Sequence, residues 1–498
     1  MERCCQYPPI QPAILPHLIG WQAPRPLDTC HGNQRKPPEE EQLQSQSRHL
    51  PSCQRSGVGG RTVNGSRSLS AIVYFRGNSD PFDTYTIKIC PRVNAILKFY
   101  RDDAIPSQYH TGPDGWKTTK AAIIDWQDAI RSLNDKGGAL GFLARWAQVA
   151  SNVSGSSDLG LQALRYRSQS TTILREKLKD EGGSISKSTY WHIHTLYTAE
   201  TLAGNVQGAW LHALLLRRVL EQQSQAGNMD LTYLRYFLYN ESQACCMFMT
   251  RPVLDYEMWV PEMFKASWHQ AADELPYLDT VRSRKLDPAI DSSFLRKIFV
   301  LQREDLAVWR EASHRSEGLS PILFTWFASR HSMHQVRLVT YALDSMDAAR
   351  RATAAGRSEF LYKEAYLALA VIYWTRLIAG NDCIRGVEIF DTKKPILNLM
   401  GCLLDRHRVE FELSGSSKYA NARLWALYLG AQAEHHHQHS GTRDTDPAKG
   451  WFSTQFSLQA IRMGLSRWES VRDVLDGFLD GDLVEPHGAQ FVPRLIRP

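Results

Sequence analysis

From residue 91 onward, apolar side chains recur every three or four positions with few interruptions. That period signals amphipathic helix, because it gathers the apolar groups on one face, which must then be buried. The stretch "TYWHIHTLYTAETLAGNVQGAWLHALLLRRVLEQ" (189–222) carries it best. There Leu196, Ala199, Ala203, Val206, Trp210 and Ala213 lie 3, 4, 3, 4 and 3 residues apart. Gly204–Asn205 in its middle can supply a left-handed cap, so either one long helix or a helical hairpin fits. Only "SAIVYF" (70–75) reads as strand. The expected fold class is all-α, a helical array of packed antiparallel helix pairs.

Punctuation residues place the helix boundaries. Pro91 suits a first helical position, where its missing N–H is not needed, and Val93, Leu97 and Tyr100 follow at helical spacing. Further helices are expected around 117–133, 138–151 and 159–180. Asp230 is placed to cap a helix whose face carries Leu231, Leu234, Leu238, Cys245 and Phe248. Ser320–Pro321 makes a cap and first turn for "ILFTWFASRHSMH". Residues 361–379 are apolar on most sides, as in a central helix, and Gly380–Asn381 ends them. Ser466 and Glu469 have capping-box spacing ahead of Val471, Leu475 and Phe478.

Residues 1–70 differ in kind, being rich in Pro, Gln, Ser and Gly. Such a stretch buries too little apolar area to offset its ordering entropy, so it is expected to be disordered, with a helical domain spanning 71–498. No apolar run reaches the ~18 residues of a membrane span, since "YLALAVIYW" stops at Arg376. Pro8, Pro9, Pro12 and Pro16 break up any secretory leader, and the sequons at Asn64, Asn152 and Asn240 carry little weight without one. Nine irregularly spaced cysteines fit reduced intracellular thiols.

Chemistry-bearing patterns are few. In "AEHHHQHSGTRDTD" (433–446), His435 and His439 share a helical face, with Glu434, Asp444 or Asp446 as further zinc ligands, but the Ser-Gly-Thr run reads as loop. A solvated His-rich helix end is the preferred reading. Cys4, Cys5, Cys30, Cys53 and Cys90 lack the paired spacing of a zinc module, and Cys245–Cys246 fits core packing. "GVGGRTVNG" (57–65) has no Lys-Ser/Thr ending for a phosphate loop. Glu200 and His212 read as satisfied polar groups within a helical core. No catalytic, cofactor or metal residues are assigned, and an enzyme is not expected. The net charge of +6 is spread thinly; "RSRK" (282–285), Arg217–Arg218 and Arg350–Arg351 are short and joined to no DNA-reading element.

Several segments, taken in order, resemble the regulatory region of fungal-specific transcription factors, the family that often carries a binuclear zinc cluster. "YFRGNSDPFDTYTIKICPRVNAILKFYRD" (74–102) holds the D-P-F element as Asp80, Pro81 and Phe82, then the aromatic pair Phe99 and Tyr100. "YTAETLAGNVQGAWLHALLLRRVLEQ" is similar to the family's central helices, with Ala209 and His212 on its A-x-x-H pattern. "QACCMFMTRPVLDYEMWVP" matches the segment ending in R-P and an acidic–aromatic pair, here Arg251, Pro252, Asp255 and Tyr256. "LWALYLGAQAE" and "MGLSRWESVRDVLDGFL" resemble the last two blocks, with Trp425, Gly430 and Trp468 in place. The resemblance covers roughly residues 74–485.

It implies an all-α regulatory body in a nuclear protein, working with partner proteins (a DNA-binding protein or a second copy) and with a small-molecule effector. The six-cysteine zinc cluster with its two C-x2-C pairs is missing, so DNA reading and its zinc ligands do not carry over. The expected function is transcriptional regulation through a helical effector domain without its own DNA-binding module. The alternative is a helical scaffold for protein interactions, against which stands the lack of any fixed repeat period.

Overall fold

The structure, a computed structural model, describes residues 85–108, 120–181, 185–275, 277–314, 320–379, 383–384, 387–414, 418–439, 450–479, 492–493 and 495–496. Segment 1–70, the "SAIVYF" run and Asp80, Pro81 and Phe82 fall outside them. In chain order the helices begin with α1 (Pro91–Phe99), a π-helical turn (Tyr100–Ala104), α2 (Ile105–Gln108), α3 (Lys120–Ser132), α4 (Lys136–Ser154) and α5 (Ser157–Asp180). Then come α6 (Lys187–Leu202), α7 (Val206–Gln225), α8 (Leu231–Phe248), α9 (Trp259–Ala272), α10 (Leu278–Arg282) and α11 (Ser293–His314). α12 (Pro321–Arg351) and α13 (Ala355–Ala379) precede a two-residue hairpin, β1 (Cys383–Ile384) and β2 (Val387–Glu388), paired antiparallel with Cys383 opposite Glu388. α14 (Lys393–Ser414), α15 (Ala420–His439), α16 (Trp451–Arg462) and α17 (Trp468–Leu475) complete the array. The all-α fold expected from the period is the fold observed.

The caps explain most starts. The Ser320 side chain accepts from the Leu323 N–H with Pro321 at the first position, Asp230 accepts from Thr232, and Asp135 accepts from Gly138. The Ser466 capping box does not form: Arg467 occupies the cap position of α17 with no side-chain bond. The apolar stripe survives, with Val471, Leu475 and Phe478 all buried.

The 189–222 stretch is a hairpin. Gly204 adopts φ +70°, and the Asn205 side chain then caps α7 by accepting from the Gly208 N–H. The break resets the helical phase, so the continuous stripe fails at Trp210, which is 43% exposed, while Leu196 and Ala213 stay buried.

Among the described residues three clusters make the interior. The largest joins α6 to α17 around α13, where every side chain from Lys363 to Arg376 is buried. A second lies where α1, α3 and α4 meet, with Tyr100 edge-on to Phe142 and close against Trp146. The third joins α9 to α12 through Ala271, Leu275, Leu278, Leu323 and Trp326.

Helix α4 meets α6 almost backbone to side chain. A Cβ built on Gly137 would sit 2.1 Å from the His192 ring, and one on Gly141 would sit 2.4 Å from the Thr195 hydroxyl. Both contacts are with rigid, buried groups, so neither neighbour can step aside. We expect Gly137→Ala to destabilise the chain by about 1–3 kcal/mol through overpacking. Urea unfolding checks this, and an unchanged midpoint would contradict the close approach.

Candidate functional site

The ten residues after α8 form a loop that is fastened on every side. Met249 ends α8 in the left-handed region at φ 50°, a conformation that costs a side-chain-bearing residue on the order of 1 kcal/mol. Neighbouring helices hold the chain in return. Arg251 donates to Asp344 and Asp347 of α12, at 2.7 and 2.9 Å. Arg217 of α7 donates to the Val253 carbonyl at 2.9 Å. Glu241 of α8 accepts from the Val253 N–H and from the Tyr256 hydroxyl, both at 2.6 Å. Burial pushes the Glu241 carboxyl up to about 7, even though these donors favour its charged form. Asp255 then accepts from the N–H groups of Glu257 and Met258, turning the chain into α9.

This loop ends at the mouth of a cleft of about 610 Å³ between α9, α10 and α12. That volume lies within the ~300–1,000 Å³ of small-molecule sites. The walls are largely apolar: Met258, Pro261, Trp268, Leu275, Leu278 and Trp326. Trp268 is fixed by its indole N–H, which donates to the Ser329 hydroxyl at 3.0 Å. At the mouth, Glu257 is paired through both oxygens with Arg337, at 2.7 and 2.6 Å.

The inner end is polar and built from charges. The Arg330 guanidinium lies over the Trp326 ring at 4.1 Å and donates to Glu304 at 2.7 Å. Arg282, from α10, donates to the other oxygen of Glu304 at 2.7 Å and to Asp279 at 2.8 Å. Behind them Asp305 lies 3.4 Å from Arg330 and bonds His334 Nδ1 at 2.9 Å. The Glu304 and Asp305 side chains are only 4% and 3% exposed. His334 Nε2 meets no polar atom of the described residues, and burial first, then Arg330 and Arg337, hold its pKa below the usual value despite Asp305.

A second buried network surrounds α13. Arg376 donates to Gln243, Thr392 and Gln335, at 2.7, 3.0 and 2.6 Å, tying α8, α12 and the chain before α14 to the central helix. At the other end Lys363 contacts Asp291, Glu364 and the Ala289 carbonyl. Its ammonium also lies 4.5 Å from the Phe360 ring and 4.6 Å from the Tyr419 ring.

The residues expected from the family pattern are not gathered at one point. Arg251, Pro252, Asp255 and Tyr256 belong to the fastened loop. Tyr100 is buried with the half-buried Phe99 beside it, and Ala209 is buried in α7. His212 is partly buried, and burial first, then His192 and Arg175, pulls its pKa to about 4. Trp425 stacks on Phe478 at 5.2 Å, while Trp468 sits 6.3 Å from Tyr428. Gly430 lets Phe452 approach, since a Cβ there would lie 2.0 Å from its ring. Tyr100, Ala209, Trp425 and Gly430 sit in packed helix contacts, whereas Arg251 and Asp255 hold the loop through exposed ion pairs and backbone hydrogen bonds.

Other expected groups find ordinary partners. Glu200 pairs with Arg167 and Asn205, and Cys245 and Cys246 are buried in the main core. Glu434 is occupied at the start of α16, accepting from Phe452 and Ser453 at 2.9 Å each. His435 lies in α15, whereas Asp444, Asp446 and the His439 side chain fall outside the described residues. Among the described residues no group of three or more His, Cys, Asp or Glu is placed to hold a metal, and no helix is long and apolar enough to cross a membrane. Within "RSRK", Arg282 serves Glu304, and the Arg284 carbonyl accepts from Arg303.

Sequence reading missed the cleft. A signal was available in Trp326, Arg330 and His334, which fall on one helical face at i, i+4 and i+8, and in the "RED" triplet 303–305 inside an apolar helix. No protein-family model, curated protein or solved structure matches the chain.

Proposed function

We propose that this chain is a transcriptional regulator of the fungal-specific type, nuclear, acting through an effector-responsive helical body and not through a DNA-reading module of its own. The observation that carries this reading is the course of the Arg251–Tyr256 segment. Those residues carry part of the family resemblance, and they are wired to α7, α8 and α12 before delivering Glu257 and Met258 to the mouth of the cleft. A ligand in the cleft would therefore press on a loop that already reports to three helices, which is the arrangement an effector-sensing body requires. A DNA-binding partner or a second copy would supply promoter contact.

Chromatin occupancy of an epitope-tagged copy in the native host tests the proposal. Enrichment at discrete promoters, changed when Arg251→Ala loosens the loop, is the expected result. A well-expressed protein with no enrichment anywhere would remove promoter regulation and leave the helical scaffold as the better description.

A further inference from the structure

The charges at the inner end of the cleft narrow down what can occupy it. Arg282 and Arg330 share one buried carboxylate, Glu304, from opposite sides. Arg282 uses Nε and Nη1 on Glu304 and Asp279, and Arg330 uses Nη2 on Glu304 and turns Nε toward Asp305. Arg282 Nη2 and Arg330 Nη1 have no protein acceptor among the described residues. Two charged donor groups therefore remain where the cleft ends, beside the indole walls of Trp326 and Trp268.

Carboxylates also line the cleft, and their positions decide the sign. Glu257 and Glu262 are 61% and 64% exposed, so water and salt screen them at the rim, and Asp279, 82% exposed, is taken up by Arg282, itself 51% exposed. Glu304 and Asp305 are sealed behind the guanidinium groups. The Arg330 side chain, by contrast, is 13% exposed and stands at the deep end, where a charge-assisted hydrogen bond is strongest. A group entering the cleft meets the Arg330 donor at its base, the half-exposed Arg282 beside it, and the solvated Glu257, Glu262 and Lys265 at its edge.

We propose that the cleft binds a planar organic acid, its ring system between the Trp268 and Trp326 walls and its carboxylate on Arg282 and Arg330. This deepens the effector reading and rests on it for its biological meaning, but the binding itself can be tested alone. Calorimetric titration of the full chain with 2-naphthoate, and with 2-naphthamide as the uncharged counterpart, is the experiment. Naphthoate is expected to bind one per chain, and the amide about tenfold or more weaker.

Arg282→Gln should cost naphthoate a similar factor while leaving Glu304 paired with Arg330. Ala272→Trp, on the exposed cleft side of α9, should abolish binding without moving the thermal midpoint. Equal binding of acid and amide overturns the acid assignment, and binding that survives Ala272→Trp overturns the location. Failure of both probes to bind overturns the proposal. Loss of promoter enrichment alongside intact naphthoate binding would instead remove the regulator reading and leave the acid site standing.

Discussion

Acidification from pH 7 toward pH 4.5 is expected to strip several kcal/mol from the stability of this protein. His192, His194, His212, His331 and His334 all have pKa values pulled down first by burial, to about 4, 3, 4 and 4 for the first four. The chemistry agrees with the direction. His194 Nε2 accepts from the Asn240 amide, so a proton there would set two donors against each other at 2.9 Å. His192 Nε2 faces the Ser170 carbonyl and must donate, leaving Nδ1 buried with no acceptor to receive a second proton.

A base with a depressed folded pKa contributes stability that is present above the unfolded value, near 6.5, and is lost as pH falls through the folded one. For His194 the full loss is on the order of 4–5 kcal/mol between pH 6.5 and about 3. Glu241 opposes this. Its raised pKa gives stability that is present below about 4.5 and is lost as pH rises to about 7. Asp128, Glu200 and Glu359, whose carboxyls burial also raises, act with Glu241, whereas Asp135, Asp291 and Asp305, held low by their partners, act with the five imidazoles, so the histidine side decides the sign. Urea unfolding across pH 7.5 to 4.5 tests the expectation, and a flat profile would refute it. His194→Gln should flatten the slope by about 1.4 kcal/mol per pH unit, one proton's worth. Glu241→Gln should steepen it.

The second large effect is expected at the core of α13. Lys363 and Glu364 are both fully buried, and Lys363 also reaches Asp291, while the Tyr341 hydroxyl donates to Glu364. Removing one partner of such a pair leaves the other charge in a medium that cannot solvate it. Lys363→Met should therefore cost about 3–5 kcal/mol. The double variant Lys363→Met/Glu364→Met should recover much of that loss, because two matched apolar groups replace two charges. A cost under about 1 kcal/mol for the single variant would show that solvent reaches the site. A double variant no better than the single would show that shape, and not charge, dominates.

These charges were hard to read in advance. The apolar character of 361–379 pointed correctly to a central helix, since a run apolar on all sides has only one place to go. The same reasoning treated Arg376 as the polar end of that run, yet it is 4% exposed and holds three elements together. A buried arginine and a surface arginine look alike in one dimension; only the acceptors brought by α8, α12 and Thr392 separate them.

Local signals behaved differently. Asp230, Ser320–Pro321 and Gly204 act within a few residues of themselves, and each does what its chemistry requires. The cleft is the opposite case, since Trp268, Arg282, Glu304 and Arg330 come from four helices whose mutual placement no periodicity encodes.

Arg303 of α11 has a consequence for how the chain is made. Its guanidinium donates to the carbonyls of Arg284 and Phe478, at 3.0 and 2.7 Å, closing a link across 175 residues. While the ribosome is still extending the polypeptide, α11 emerges long before Phe478 exists. Its buried arginine must wait, solvated or held by a chaperone, until α17 and Phe478 are synthesised. The body can therefore close only after Phe478 has emerged, and a message truncated before Phe478 would yield a product prone to degradation.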